Sequence, residues 1–157
     1  MAELTIGSMA PDFDLPRDGG GRVKLTDFRG KALVLFFYPK DDTSGCTTES
    51  IAFTALADAF EKSGATIVGM SPDSAACHDR FIKKHKLGVT LAADEDKTTL
   101  EAYGVWKQKS MYGRTYMGVE RTTFLISPNG EIAAIWQKVK VAGHAEAVLE
   151  AVRNLPS

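Results

Sequence analysis

The sequence predicts an α/β fold, a central mixed β-sheet flanked by helices, and three observations carry that expectation. Ala32-Leu33-Val34-Leu35-Phe36-Phe37-Tyr38 is a continuous apolar run closed by Pro39, the pattern of a central strand covered on both faces. From there the chain reads strand, helix, strand, helix as far as Lys86, and strands joined by helical crossovers pair in parallel. Later, two strand-like runs flank Ser127-Pro128-Asn129-Gly130, whose Asn-Gly dipeptide marks an antiparallel hairpin.

The elements follow in order. Residues 12 to 25 carry short apolar pieces around Asp18-Gly19-Gly20-Gly21, so an N-terminal β-hairpin extension precedes the main sheet. Leu25 to Gly30 turns the chain into the central strand. Phe53, Leu56, Ala57 and Phe60 recur at i, i+3, i+4, i+7, which predicts one helix over about 46–62, stopping near Gly64 with its apolar stripe on the sheet. Ala65 to Ser71 is a second strand. Pro72-Asp73-Ser74 has the chemistry of a helix start, and that helix runs to about Lys86. Leu91-Ala92-Ala93 is a short strand and Lys97 to Tyr103 a short helix. Thr122–Ile126 and Glu131–Trp136 form the hairpin, and His144 to Asn154 is a closing helix.

At 157 residues, without repeats or a linker-like stretch, the chain reads as one domain, 1–157. Its apolar fraction of 44% and charged fraction of 25% exclude disordered and fibrous classes. Nineteen basic against twenty acidic residues provide no general attraction to nucleic acid or an anionic membrane. The basic and aromatic segment from Trp106 to Met117 is therefore read as a loop lining a pocket or facing a partner. The start, Met1 to Gly7, lacks a basic n-region and an apolar h-region, and no apolar run reaches membrane-span length, so a cytoplasmic protein is expected.

Two cysteines are too few for a disulfide framework, and with three scattered histidines they match no zinc spacing. His78, His85 and His144 read as solvated or helix-end residues. Attention falls on Cys46, which lies between the end of the buried strand and a helix start, where open α/β sheets bind ligands. A thiol is mostly protonated at neutral pH, and the unpaired N–H groups and positive dipole end of a helix's first turn stabilise its anion. Gly45 lets the backbone approach a ligand closely. On the residues alone two readings stand side by side: a reactive Cys46, or a small buried hydrophobe.

Pro39-x-x-x-Thr43-x-x-Cys46, together with Arg121 just before Thr122-Thr123-Phe124, resembles the active-site signature of the peroxiredoxins. The likeness extends to Ala10-Pro11-Asp12-Phe13, Phe37-Tyr38-Pro39-Lys40, Gly45-Cys46-Thr47-Thr48-Glu49, Ser71-Pro72-Asp73-Ser74 and Tyr103-Gly104-Val105-Trp106, and is strongest with the bacterioferritin comigratory, or Q-type, group. It implies a thioredoxin-like fold and a monomeric thiol peroxidase for hydrogen peroxide and organic hydroperoxides, recycled by thioredoxin or a similar dithiol, with no metal, haem or flavin. By position, Cys46 would attack the peroxide, Thr43 hydrogen-bond it, Arg121 stabilise the moving charge and Pro39 shield the site. Glu49 would either orient Arg121 or simply favour the first turn of its helix.

The resulting sulfenic acid condenses with a second thiol. Many Q-type proteins carry that cysteine five residues on, where this chain has Ile51; others carry it in the following helix, where Cys77 stands. Two alternatives remain: Cys77 resolves Cys46 as a disulfide, or it packs against Phe81 and an external thiol resolves Cys46. A thiol–disulfide oxidoreductase is disfavoured, because Thr43-Ser44-Gly45-Cys46 lacks the first cysteine of Cys-x-x-Cys. A redox-sensing or chaperone-like protein, with slow stoichiometric oxidation of Cys46, is the remaining alternative.

Overall fold

A computed structural model describes residues 4–155; Met1 to Glu3, part of the start read above, lie outside it. Five strands form the main sheet in the order β5-β4-β3-β8-β9. β3 (Ala32–Phe37) is central, parallel to β4 (Ala65–Ser71) and antiparallel to β8 (Thr122–Ile126). β5 (Thr90–Ala93) adds parallel to β4, and β9 (Ile132–Trp136) adds antiparallel to β8. The sheet is thus mixed, as expected. The N-terminal hairpin forms as well, from β1 (Asp14–Pro16) and β2 (Arg22–Lys24).

Every residue of β3 is buried because its two faces meet two cores. Val34, Phe36 and Tyr38 point to a core completed by Phe53, Phe60 and Phe81 from α1 (Ser44–Ala55), α2 (Ala57–Lys62) and α3 (Ala75–His85), and by Val148, Leu149 and Val152 from α5 (His144–Arg153). Leu33, Leu35 and Phe37 point the other way, against Phe13, Val23, Tyr103, Phe124 and Leu100 of α4 (Thr98–Ala102). This alternation is the period-2 geometry of a strand, with both faces apolar. Gly69 on β4 has to be glycine: a Cβ there would lie 2.6 Å from the Phe36 ring and 2.8 Å from Leu91.

Three expectations are corrected. The helix predicted over 46–62 begins at Ser44 and breaks at Leu56. Thr54 is the cause: its hydroxyl donates back to the Ser50 carbonyl (2.8 Å) and accepts from the Gly88 N–H (3.0 Å), and such back-bonding bends helices. The segment read as a loop over 106–117 is a hairpin, β6 (Trp106–Met111) and β7 (Arg114–Val119), turning through Tyr112 and Gly113. Both turn residues have positive φ, 53° and 78°, as a two-residue hairpin turn requires, but tyrosine is not a residue that advertises one. Five of its exposed or half-exposed strand positions on β7 carry no apolar alternation, so the period-2 signal was missing.

The third correction concerns the histidines. His78 is fully buried and His144 nearly so, although His144 does open α5 and His85 does close α3. Each buried ring is accommodated by a distant polar partner: Asp41 for His78 and the Thr123 hydroxyl (2.8 Å) for His144. Burial, then the nearby Arg121 cation, push His144 down to about 4, so it is neutral at pH 7.

Candidate active site

Tyr38 directly follows the central strand, and the chain crosses from it through Pro39–Asp42 to Thr43, the N-cap of α1. Cys46 is the third residue of that helix. The first intrahelical bond runs from Thr47 N–H to the Thr43 carbonyl (2.8 Å), so the amides of Ser44, Gly45 and Cys46 sit at the positive dipole end ahead of it. Thr43 makes no side-chain cap; its hydroxyl donates to the Lys40 carbonyl (2.9 Å).

Arg121 reaches this helix start from the residue just before β8, the strand paired directly beside β3, where Thr122 lies opposite Phe37. Its two terminal nitrogens serve two acceptors. Nη2 donates to Cys46 Sγ at 3.2 Å, and Nη1 donates to Glu49 Oε1 at 2.6 Å. A guanidinium fork fixes both contacts at once, which a lysine ammonium could not do with the same rigidity. Gly45 makes room for it: a Cβ there would lie 3.1 Å from Arg121 Nη2. Cys46 has no solvent exposure and belongs to the same buried cluster as Tyr38 and Phe53. Both readings of Cys46 from the sequence are therefore physically present, a buried side chain that also receives a cation's N–H.

Glu49 is not a first-turn acid, because α1 starts at Ser44; it is a buried partner of Arg121. Burial raises its carboxyl to about 7 against the opposing pull of Arg121, and its Oε2 has no hydrogen-bond partner among the described residues. Arg121 itself is held more firmly protonated, burial being outweighed by Glu49 and the Cys46 sulfur. Lys109, half-buried on β6, belongs to the same electrostatic neighbourhood: burial and Arg121 lower it, while Glu120 and Cys46 raise it. The sequence offered no signal for Lys109 beyond the basic character of its segment.

Cys77 is the third residue of α3 and half-buried. Its amide donates to the N-cap hydroxyl of Ser74 (3.1 Å), and its thiol makes a long contact to Asp73 Oδ1 (3.9 Å). The Asp41 carboxylate closes the group, with one side-chain atom each of Asp41, Asp73 and Cys77 within 4.8 Å of one another. Burial, then these two carboxylates, push the thiol up to about 11. Both cysteines are free thiols.

Residues 6–135 match the AhpC/TSA family model, well over half of the chain. The chain belongs to the AhpC/TSA family. It is a peroxiredoxin, a peroxidase of the oxidoreductase class, similar to peroxiredoxin Bcp of Bacillus subtilis (44% identity over 152 residues, 97% of each chain). With peroxiredoxin Bcp of Xanthomonas campestris it shares 46% over 155 residues, covering 98% of this chain and 97% of the relative. Among solved structures, Xanthomonas campestris peroxiredoxin Q superimposes with a TM-score of 0.88 at 45% identity, over 96% of this chain and 95% of the other. A cysteine-to-serine mutant of Xylella fastidiosa PrxQ gives 0.92 at 38% identity, over 98% of both chains. These neighbours identify the peroxiredoxin's fold as thioredoxin-like, and no described helix is long and apolar enough to cross a membrane.

Proposed function

We propose that this peroxiredoxin reduces hydrogen peroxide and organic hydroperoxides at Cys46, that Cys77 resolves the product as an intramolecular disulfide, and that thioredoxin or a similar dithiol protein recycles it. The observation that carries the first step is the Arg121 fork between Cys46 Sγ and Glu49. The Cys46 thiolate attacks one peroxide oxygen, the O–O bond breaks, and the departing oxygen takes a proton to leave as water or an alcohol. Negative charge thus passes from sulfur to that oxygen, and the Nη2 donor, already aimed at the sulfur, is in position to follow it.

The enclosure of Cys46 keeps water away, so a peroxide reaches Sγ only as the surrounding loop gives way. Pro39 adds an apolar wall that lacks an N–H. The Thr43 hydroxyl, whose proton goes to Lys40, retains lone pairs to accept the peroxide's own O–H. The organic hydroperoxides are supported by a relative: the Xanthomonas campestris bacterioferritin comigratory protein (44% identity, TM-score 0.88) was solved in connection with alkyl peroxide reduction activity.

In the second step the Cys77 sulfur displaces water from the Cys46 sulfenic acid, and a dithiol then takes the disulfide's place as the oxidised partner. Mass spectrometry after one equivalent of peroxide, with and without Cys77→Ser, tests this. A Cys46–Cys77 bridge is expected in the wild type and a persistent sulfenic acid in the variant. Sulfenic or sulfinic acid in both would leave a one-cysteine enzyme resolved by an external thiol.

Gly45→Ala is expected to lower the peroxidase rate about tenfold, since the new Cβ forces the Arg121 head away from Sγ by a few tenths of an ångström. Peroxide-consumption assays at matched folding, checked by circular dichroism, measure it; an unchanged rate would mean that the Arg121 contact is not tightly positioned.

A further inference from the structure

His78 is a fully buried ionisable group that the steps above do not use. Its Nδ1 lies 2.6 Å from Asp41 Oδ2, and its Nε2 lies 2.9 Å from the Ala92 carbonyl oxygen. A carboxylate and a carbonyl only accept hydrogen bonds, so both ring nitrogens donate and the ring is an imidazolium. Asp41 is held from every side: its Oδ1 accepts from the Tyr38 hydroxyl (2.6 Å), and its own N–H donates to Asp73 Oδ2 (2.8 Å). The network ties together the loop before Cys46, the first turn and a half of α3 and strand β5. A second strap, Lys84 and His85 on Asp42, lies at the surface, where ion pairs contribute little.

We propose that the buried Asp41–His78 pair is a pH-sensitive latch on the start of α3, and that its release gates formation of the Cys46–Cys77 disulfide. The gating rests on Cys77 being the resolving thiol; the latch itself does not. Asp41 and His78 are positioning residues, since neither touches peroxide. For the two sulfurs to meet, Cys77 must leave Asp73 and Asp41 while Cys46 leaves Arg121. Cys77 immediately precedes His78 in α3, so unwinding that frees the thiol draws the imidazolium out of its pocket. Breaking a buried ion pair strands a charge on Asp41, which makes this the costly part of the opening.

The pH dependence follows from proton linkage. In water the freed ring returns to its ordinary value near 6.5. In the closed form burial pulls it down, but Asp41, the Ala92 carbonyl and Asp73 together more than compensate and hold it above that value. The latch is therefore at full strength below about pH 6.5 and weakens as pH rises through the raised value. The charged and titratable groups facing the ring are Asp41 and Tyr38 from the β3 side, and Asp73 and Cys77 from the start of α3; β5 contributes the Ala92 carbonyl. Tyr38 and Cys77 are both pushed upward and stay neutral through this range, so the charge change belongs to His78. At low pH the latch stays shut, the Cys46 sulfenic acid lives longer, and a second peroxide converts more of it to sulfinic acid.

The test begins with the reduced wild-type protein. Nitrogen-15 NMR of the His78 ring should show both nitrogens protonated at pH 7. Hydrogen-exchange protection at the Cys77 and His78 amides, corrected for intrinsic rates, should be at least about fivefold higher at pH 6 than at pH 8.5. In His78→Gln, which keeps an N–H donor but cannot titrate, protection should be low at both pH values, with α5 amides unchanged as the control for folding. Single-turnover disulfide formation at pH 6 should then be severalfold faster than in the wild type. A neutral His78 ring at pH 7, or equal wild-type protection at both pH values, overturns the latch without recourse to any variant. Disulfide formation untouched by His78→Gln in a folded protein overturns the gating and leaves Cys77 as the resolving thiol. A His78-dependent, pH-dependent α3 with no Cys46–Cys77 bridge upholds the latch and removes Cys77 from the reaction.

Discussion

Cys46→Ser is expected to reduce peroxide consumption to the rate of buffer alone, with the protein still folded. Serine fits the enclosed site of Cys46, and its hydroxyl can accept the Arg121 Nη2 hydrogen that Sγ now accepts at 3.2 Å. Stability should therefore change by no more than about 1–2 kcal/mol, the ordinary scale of a single hydrogen-bond adjustment in a core. The chemistry is lost because nucleophilic attack needs an anion, and a serine hydroxyl is far harder to ionise than a cysteine thiol. A coupled assay with a dithiol reductant, alongside thermal unfolding, measures both quantities. Retained turnover would refute the assignment of Cys46, whereas loss of turnover together with unfolding would call for Cys46→Ala as a second, apolar replacement.

Arg121→Lys, a change that keeps the charge, is expected to cost about a hundredfold to a thousandfold in rate, the scale of losing one preorganised donor at a reacting atom. A single ammonium cannot occupy both ends of the fork, 3.2 Å from Cys46 Sγ and 2.6 Å from Glu49 Oε1, in the geometry the guanidinium fixes. The variant also carries a pH signature. Glu49 is already raised to about 7 with Arg121 in place, and a weaker partner raises it further. A carboxyl raised in the folded state is well tolerated below its unfolded value near 4.3, and its ionisation penalises the fold increasingly as pH climbs through the folded value. The gap in melting temperature between wild type and Arg121→Lys should therefore widen from pH 6 to pH 8. A constant gap would mean that Glu49 does not depend on Arg121.

The extent of the site that was legible in the sequence follows from how local each signal is. Thr43, Gly45 and Cys46 lie in one strand-to-helix crossing, and the residue types needed there are contiguous in the chain. Arg121 is 75 residues from Cys46, and only likeness to known peroxiredoxins joined the two. Glu49 stood undecided between two roles, because the start of α1 at Ser44 decides whether position 49 is in the first turn or beyond it. Lys109 and the β6–β7 hairpin gave no readable pattern: an exposed ribbon needs no apolar alternation, and its turn uses Tyr112 where Asn would have signalled it. From sequence alone His78 reads as a solvated or helix-end side chain, since its partner Asp41 lies 37 positions earlier.

By itself the sequence determined the α/β class, the central strand, the two hairpins at the N-terminal end and around Asn129-Gly130, and the placing of a cysteine at a helix start. Apolar periodicity and turn chemistry are properties of neighbouring residues, and they survive without knowledge of the rest of the chain. The tertiary structure alone decided which polar groups meet once buried: Arg121 with Cys46 and Glu49, and His78 with Asp41 and Ala92. Such pairings depend on distance and desolvation, since a charge taken out of water persists only where the fold brings it a partner.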